Sequence, residues 1–233
     1  MYGMCEKLPE ESIMIMNKGR QTSESFRLSA ILSLSGGLQD AYTYNVRGNV
    51  FANAQTGNVV LMSQNFMTGD FRTGAKYLIP IIAFALGIVL AEQVEHRLKN
   101  ADKIHWRQVI ILIEIVLLGV VGFLPTELNM LANILVSLSC AMQVQTFRKV
   151  HGYGYASTMC IGNLRSGTES LSQYFRTKDK QDIHRAAHYY GIILIFAMGA
   201  GVGGLLSRVF GIFTIWASVV LLFIDFLMMM REF

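Results

Sequence analysis

VFANAQTGNVVLMSQNFM, residues Val50–Met67, is the stretch on which the fold turns. It is long enough to cross a membrane as a helix. It is also studded with Asn53, Gln55, Thr56, Asn58, Ser63, Gln64 and Asn65. Such side chains cannot face acyl chains cheaply, so they must face a protein interior or a wet cavity.

The surroundings make a membrane the relevant solvent. Of the 233 residues, 52% are hydrophobic and only 15% are charged, against roughly 25% in a soluble domain. A helix needs about 20 mostly apolar residues to cross about 30 Å of hydrocarbon. Six stretches qualify: Leu28–Val46, Tyr77–Val94, Trp106–Leu124, Leu128–Phe147, Ala186–Ser207 and Val209–Met230. None carries the polar stripe of a soluble helix. A second awkward stretch, Tyr153–Phe175, contains Arg165 and Glu169. The mean hydropathy of +0.40 is modest, as expected if some of the embedded chain is polar.

Loop charges bear on whether the two awkward stretches cross. If both do, eight crossings leave 11 Lys and Arg inside and 8 outside, Arg165 left out of the count. If both are half-length or re-entrant, six crossings leave 15 inside and 4 outside: Arg47, Arg72, Lys76 and Arg208. Cytoplasmic loops collect Lys and Arg, which favours six crossings.

The awkward stretches also resemble each other. Leu34–Asn58 lies over Leu138–Asn163, pairing Leu34 with Leu138, Ser35 with Ser139, Gln39 with Gln143 and Gly48 with Gly152. One inserted residue later, Gly57 pairs with Gly162 and Asn58 with Asn163. The expected fold is therefore an all-α membrane protein, a two-repeat bundle of six spanning helices plus two polar, half-length or re-entrant helices. The alternative is eight spanning helices, four and four. The expected organisation is a cytoplasmic tail, 1–26, with a short helix around residues 12–17, a first repeat, 27–124, and a second, 125–233. Both termini are expected in the cytoplasm. With three crossings per repeat the halves are inverted, and such transporters hold their site between repeats near the midplane.

Ser35–Met62, with Gly37 and Asp40 followed by Phe51, Ala52, Asn53, Thr56, Gly57 and Asn58, resembles the signature of the YoaK-like family of bacterial membrane proteins. In the second half Gln143 fits that pattern, whereas Ile161 stands where a Thr precedes Gly162. The resemblance implies a polytopic protein of the bacterial inner membrane. It supplies no biochemical activity.

Individual residues then carry expectations. Asp40 lies deep in an apolar segment, where a carboxylate costs a few kcal/mol. It reads as a proton carrier, a cation site or half of an ion pair, with Arg165 as the candidate partner. Glu114 is central in an aliphatic helix and also needs a partner or a cavity. Asp225 sits nearer a helix end, where water can reach it. Thr56-Gly57-Asn58 and Gly162-Asn163 read either as broken helices holding a substrate or as helix-packing contacts. Gln39 and Gln143 line a cavity or tie the repeats together. The candidate substrate or ion site is thus Asp40, Gln39, Asn53, Thr56, Asn58, Glu114, Gln143, Asn163 and Arg165.

Other features read more plainly. Gly199–Gly204 lacks the strand and the Lys-Ser/Thr of a nucleotide loop, and small-xxx-small packing explains it better. His184 and His188 share a helical face without further metal ligands at suitable spacing. Trp106, Tyr189 and Tyr190 read as headgroup-level anchors. Cys5, Cys140 and Cys160 form no paired motif. The net charge of +4 follows from cytoplasmic Lys and Arg rather than from nucleic-acid binding. No catalytic set is visible, and no cofactor is expected. The reading is a small secondary transporter or permease for a small molecule or ion in the lipid bilayer, of a size compatible with a homodimer. The alternative is a non-transporting membrane binding or scaffold protein, or a lipid-handling subunit.

Overall fold

The computed structural model describes residues 25–99, 105–150 and 153–230. The N-terminal tail and its expected short helix lie outside the described residues. Eight α-helices follow in the described chain: α1 Phe26–Val46, α2 Gln55–Met67, α3 Phe71–Leu98, α4 Trp106–Val121, α5 Asn129–Thr146, α6 Cys160–Thr177, α7 Lys180–Phe210 and α8 Ile215–Met230. A minimal hairpin pairs Lys149–Val150 with Tyr153–Gly154 between α5 and α6.

Local chemistry sets the helix ends. The Ser25 hydroxyl accepts from Leu28 N–H to start α1. The Asp70 carboxylate accepts from Thr73 N–H to start α3, and the Thr73 side chain first, then its N–H, holds the carboxyl below the usual range. His105 and Gln108 form a reciprocal box at the start of α4. Gly48, with φ +87°, and Asn49, with φ 61°, turn the chain sharply after α1. α3 and α7 begin earlier than expected, at Phe71 and Lys180, and two other helix ends have a local cause. α4 stops at Val121, where Gly122 and Pro125 follow. α7 runs on past Arg208 to Phe210, and the break falls at Gly211, whose φ is +51°.

Three helical stretches are long and apolar enough to cross a membrane by length and composition: Phe71–Leu98, Thr126–Thr146 and Lys180–Met230, the last comprising α7 and α8. With the positions of the remaining helices, this defines an all-helical protein of membrane character.

The packing has a regular scheme. α1 lies along α7 and α3 along α5; α2 packs on α3 and α6 on α7; α4 packs on both α5 and α8, and α8 packs on α1. Exchanging the first four helices for the last four leaves this scheme unchanged. Glycines make the long crossings close. A Cβ on Gly199 would strike the Leu34 carbonyl, and one on Gly203 would strike Leu38. A Cβ on Gly87 would likewise strike the Leu138 carbonyl. The small-xxx-small row that packs is thus Gly199 and Gly203, while Gly201 faces open space.

The ends of the bundle can be read from shared contacts. The end of α1 (Arg47, Gly48), the start of α3 (Arg72, Thr73, Lys76) and the start of α5 (Asn129, Met130, Asn133) line one pocket. At the other end Phe26, opening α1, meets the His188 ring of α7 at 5.1 Å. Trp106, Tyr189 and Tyr190 are partly or wholly packed in protein. Trp106 and Tyr189 are buried, the Tyr189 hydroxyl donates to Gly154 O at 2.8 Å, and the Tyr190 hydroxyl meets Thr168 Oγ1 at 2.9 Å.

Candidate functional site: a buried polar layer

The polar stretch Val50–Met67 folds back on α1. After the turn at Gly48 the chain runs without helix to Asn53, whose N–H donates to Asp40 Oδ1 at 2.7 Å. The Asn53 side chain donates to Gly36 O at 3.2 Å. Residue 53 therefore lies level with the middle of α1, although α1 ends at residue 46. Irregular backbone in a buried place must find partners. Asn58 supplies them: its Oδ1 accepts from Phe51 N–H at 3.2 Å and its Nδ2 donates to Phe51 O at 2.7 Å. Gln55 Nε2 donates to Ala52 O at 2.7 Å, and Asn58 Nδ2 also reaches Gln55 Oε1. α2 then has only 13 residues, about 20 Å at 1.5 Å per residue, and it ends beside the start of α3, where Phe66 fills the space over Gly74.

The second polar stretch repeats this geometry. Asn163 Oδ1 accepts from Ala156 N–H at 3.3 Å and its Nδ2 donates to Ala156 O at 2.7 Å. Gln143 Nε2 donates to Ser157 Oγ at 2.9 Å and to Leu32 O on α1 at 3.3 Å. Its counterpart Gln39 accepts from Cys140 Sγ on α5 at 2.9 Å and donates to Ser35 Oγ. Each glutamine therefore joins α1 to α5. Thr158 fits against Gly36, where no Cβ could stand. A cavity of about 410 Å³ opens beside Asn163, lined by Gln145, Arg148, Tyr155 and Met159 among others.

Three carboxyls lie within or beside this layer. Asp40 is 6% exposed and is held by the Asn53 backbone. Glu114 on α4 and Asp225 on α8 are each 0% exposed, and none of their four oxygens has a hydrogen-bond partner among the described residues. The two acids lie within electrostatic reach of each other. Beside them, Ser139 Oγ lies against Glu114 and the Tyr155 hydroxyl against Ser29 and Asp225, each buried and short of a well-formed hydrogen bond. Glu114 and Asp225 occupy matching positions: Ile111, Glu114 and Leu118 on α4 correspond in burial and spacing to Leu222, Asp225 and Met229 on α8.

The expected site residues thus separate. Gln39, Asp40, Asn53, Asn58, Glu114, Gln143 and Asn163 are buried. Thr56 and Arg165 are exposed. Arg165 forms no ion pair with Asp40 among the described residues: its position on α6 faces away from the side on which Asn163 and Gly167 are buried. Asp225 is not reached by water from the helix end, as the sequence reading had it, but is sealed in the core.

Arg47 escaped the sequence reading altogether, standing there as a loop cation. It is 0% exposed. Its guanidinium donates to the Tyr42 hydroxyl and Asn129 Oδ1, and to the carbonyls of Val121, Leu124 and Pro125, at 2.7–3.2 Å. All five donors of the group are used. They close the C-terminal end of α4, where carbonyls carry partial negative charge. An arginine just past a helix, before a glycine, gives no local signal of this role.

A polytopic bundle with buried amides at broken helices and carboxyls on its inner helices defines the class: a helical membrane protein. Residues 28–228 match the family described as "Protein of unknown function (DUF1275)", and the chain belongs to that family. It is 27% identical over 216 residues to the UPF0700 transmembrane protein YoaK of Bacillus subtilis (strain 168), covering 87% of this chain and 93% of that protein. The YoaK-like resemblance is thereby shown. No solved structure matches the chain.

Proposed function

We propose that the chain is a small secondary transporter of the bacterial inner membrane, built from two inverted repeats of three crossing helices and one re-entrant helix. Supporting the topology, α2 starts level with mid-α1 and returns to the end from which the chain descended. α6 does the same at the opposite end. α1, α3, α4, α5, α7 and α8 then cross, leaving the amino-terminal side of α1 and the carboxy-terminal end of α8 on one face, the cytoplasmic one by loop charge. The exchangeable packing scheme and the paired Asn58 and Asn163 clamps favour duplication of 27–124 as 125–233.

The observation that carries the transport reading is Glu114 with Asp225. Two uncompensated carboxyls cost several kcal/mol in a bilayer interior and persist where protons or cations are exchanged. Their matching places in the two repeats suit a site that faces each side of the membrane in turn. Asp40, Gln39, Asn53, Asn58, Gln143 and Asn163 would then frame the path and fix its broken helices. Nothing in this reading asks for covalent chemistry or a cofactor. The expected partners are lipid, a small solute or ion, and a second copy of the chain.

Purified protein in vesicles loaded with a pH-sensitive dye, challenged with small carboxylates, phosphate, amino acids and alkali cations in turn, tests the proposal. A solute-dependent proton or cation flux that Glu114→Gln abolishes in a folded protein is the expected result. Absence of flux with every class leaves the polar layer as internal bracing and favours the scaffold reading.

A further inference from the structure

We propose that the pocket between the ends of α1, α3 and α5 binds a hydroxyl-bearing oxyanion, a phosphate group above all. The pocket holds about 340 Å³ and brings together Arg47, Arg72, Lys76, Thr73, Asn129 and Asn133. Three of its side chains are cationic, and no acidic side chain lines it. Glu127 is exposed, and the exposed Asp70 turns its carboxylate onto Thr73 N–H at the start of α3.

Among the described residues no acid pairs with Arg47 or Lys76, and Arg72 feels the exposed Asp70 carboxylate without forming an ion pair with it. Arg47 spends its donors on carbonyls, an amide oxygen and a hydroxyl, which leave its charge intact. Arg72 and Lys76 form no ion pair among the described residues. The Lys76 ammonium sits beside Gly48, where a Cβ would stand 3.6 Å from it, and 5.2 Å over the Tyr77 ring. The first turn of α5 also opens here, adding the positive end of a helix that no side chain caps, whereas the start of α3 is already capped by Asp70. A phosphate receives charge-assisted hydrogen bonds from Arg72 and Lys76, while Arg47, its donors already used, contributes charge alone.

Asn133 narrows the ligand further. It is 2% exposed, its Nδ2 donates to Arg47 O at 2.9 Å, and its Oδ1 has no partner. A buried acceptor wants a donor. A singly protonated phosphate or the glycerol headgroup of an anionic lipid carries one; sulfate does not.

Arg47 is accounted for by its bonds to the end of α4, but charge topology leaves Arg72 and Lys76 unexpected here. Six crossings leave four cations on the non-cytoplasmic face, and three of them are Arg47, Arg72 and Lys76. Such residues are ordinarily collected on the opposite side. The inference is independent of transport: phosphate would bind here even if no solute is moved.

The full chain in zwitterionic nanodiscs, titrated with inorganic phosphate against chloride at matched ionic strength, tests it by thermal unfolding. Phosphate should raise the midpoint saturably and sulfate much less. Arg72→Gln with Lys76→Gln should weaken the apparent affinity at least tenfold, whereas Arg208→Gln should not. Lys76→Gln alone serves if the double variant does not fold. Should the natural occupant be a lipid, phosphatidylglycerol will co-purify with the parent and not with the variant, and will suppress the phosphate shift. Absence of both effects, or equal effects in the double variant, overturns the site. Equal shifts by sulfate and phosphate overturn the role given to Asn133.

Discussion

Asn163 closes on the backbone of Ala156 with the same pair of hydrogen bonds that Asn58 makes to Phe51, acceptor to N–H and donor to C=O. Each clamp spans seven residues and closes the unwound chain before a polar helix onto that helix's first turns. In neither stretch could a helix satisfy these groups, because the chain must descend along its neighbour before turning. The amides are the means by which two interruptions exist inside an apolar bundle.

Asn58→Ala and Asn163→Ala should therefore each lower stability by about 2 kcal/mol, since a buried peptide loses both partners. Unfolding in mixed detergent micelles measures this. Asn58→Asp should be no rescue, because the donor to Phe51 O is lost. Equal stability of the alanine variants would mean that the unwound chain is held elsewhere.

Much of this was legible in advance. Six apolar stretches gave six helices, and the Gln39/Gln143 and Asn58/Asn163 pairs stood in the sequence at offsets differing by one inserted residue. What failed did so for physical reasons. Arg165 looked embedded because α6 has apolar neighbours, yet only the side of α6 carrying Asn163, Gly167 and Ser170 meets protein. Asp225 reads as an end residue because it stands close to the end of the last apolar stretch, yet the packing of α8 on α4 and α1 buries it. Its correspondence with Glu114 is seen only in the packed helices, since the register at Asn163 continued along the chain pairs Glu114 with Val219. Arg47 gave no signal, since its partners, the carbonyls of residues 121–125, are brought to it only by the packing of α4.

The two unpartnered acids make a prediction in which stability and function part. Glu114→Gln and Asp225→Asn remove an uncompensated buried carboxyl and keep its shape, so the unfolding midpoint should hold or rise. Flux should fall to background in both. A drop in midpoint for either amide would show that its carboxyl is braced by a partner and is structural.

The glycine crossings predict a graded series. Gly199→Leu must part α1 from α7, and Gly87→Leu must part α3 from α5, each costing about 3 kcal/mol or more. Gly201→Ala, in open space on the same helix, should be neutral or slightly stabilising through helix propensity. A tolerated Gly199→Leu would contradict the close crossing.

His105 gives a pH dependence. Its ring nitrogen Nδ1 accepts from Arg107 N–H at 3.2 Å, so the cap needs the neutral ring. Burial first, then the Arg107 charge, hold its pKa below 6.5. The folded state thus binds this proton less readily than the unfolded state. The contribution is complete above pH 6.5 and is lost as the pH falls through the lowered value. His105→Asn, a cap that does not titrate, should flatten the acid limb of a stability profile. An unchanged limb would assign it to other groups.

Topology can be settled by where single cysteines react, with Cys5, Cys140 and Cys160 replaced by serine. Met67, 89% exposed at the end of α2, and Arg97, near the end of α3, discriminate between the two arrangements. If α2 returns to the side it came from, Cys at 67 reacts with an impermeant maleimide from outside intact cells and Cys at 97 only after permeabilisation. Eight crossings reverse both results, because α2 would then deliver residue 67 to the cytoplasm and α3 would carry residue 97 out. The shortness of α2 decides the expectation. From the level of Gly36 its roughly 20 Å suffices to regain one surface, and the start of α3 beside Arg47 lies at the surface from which the chain set out.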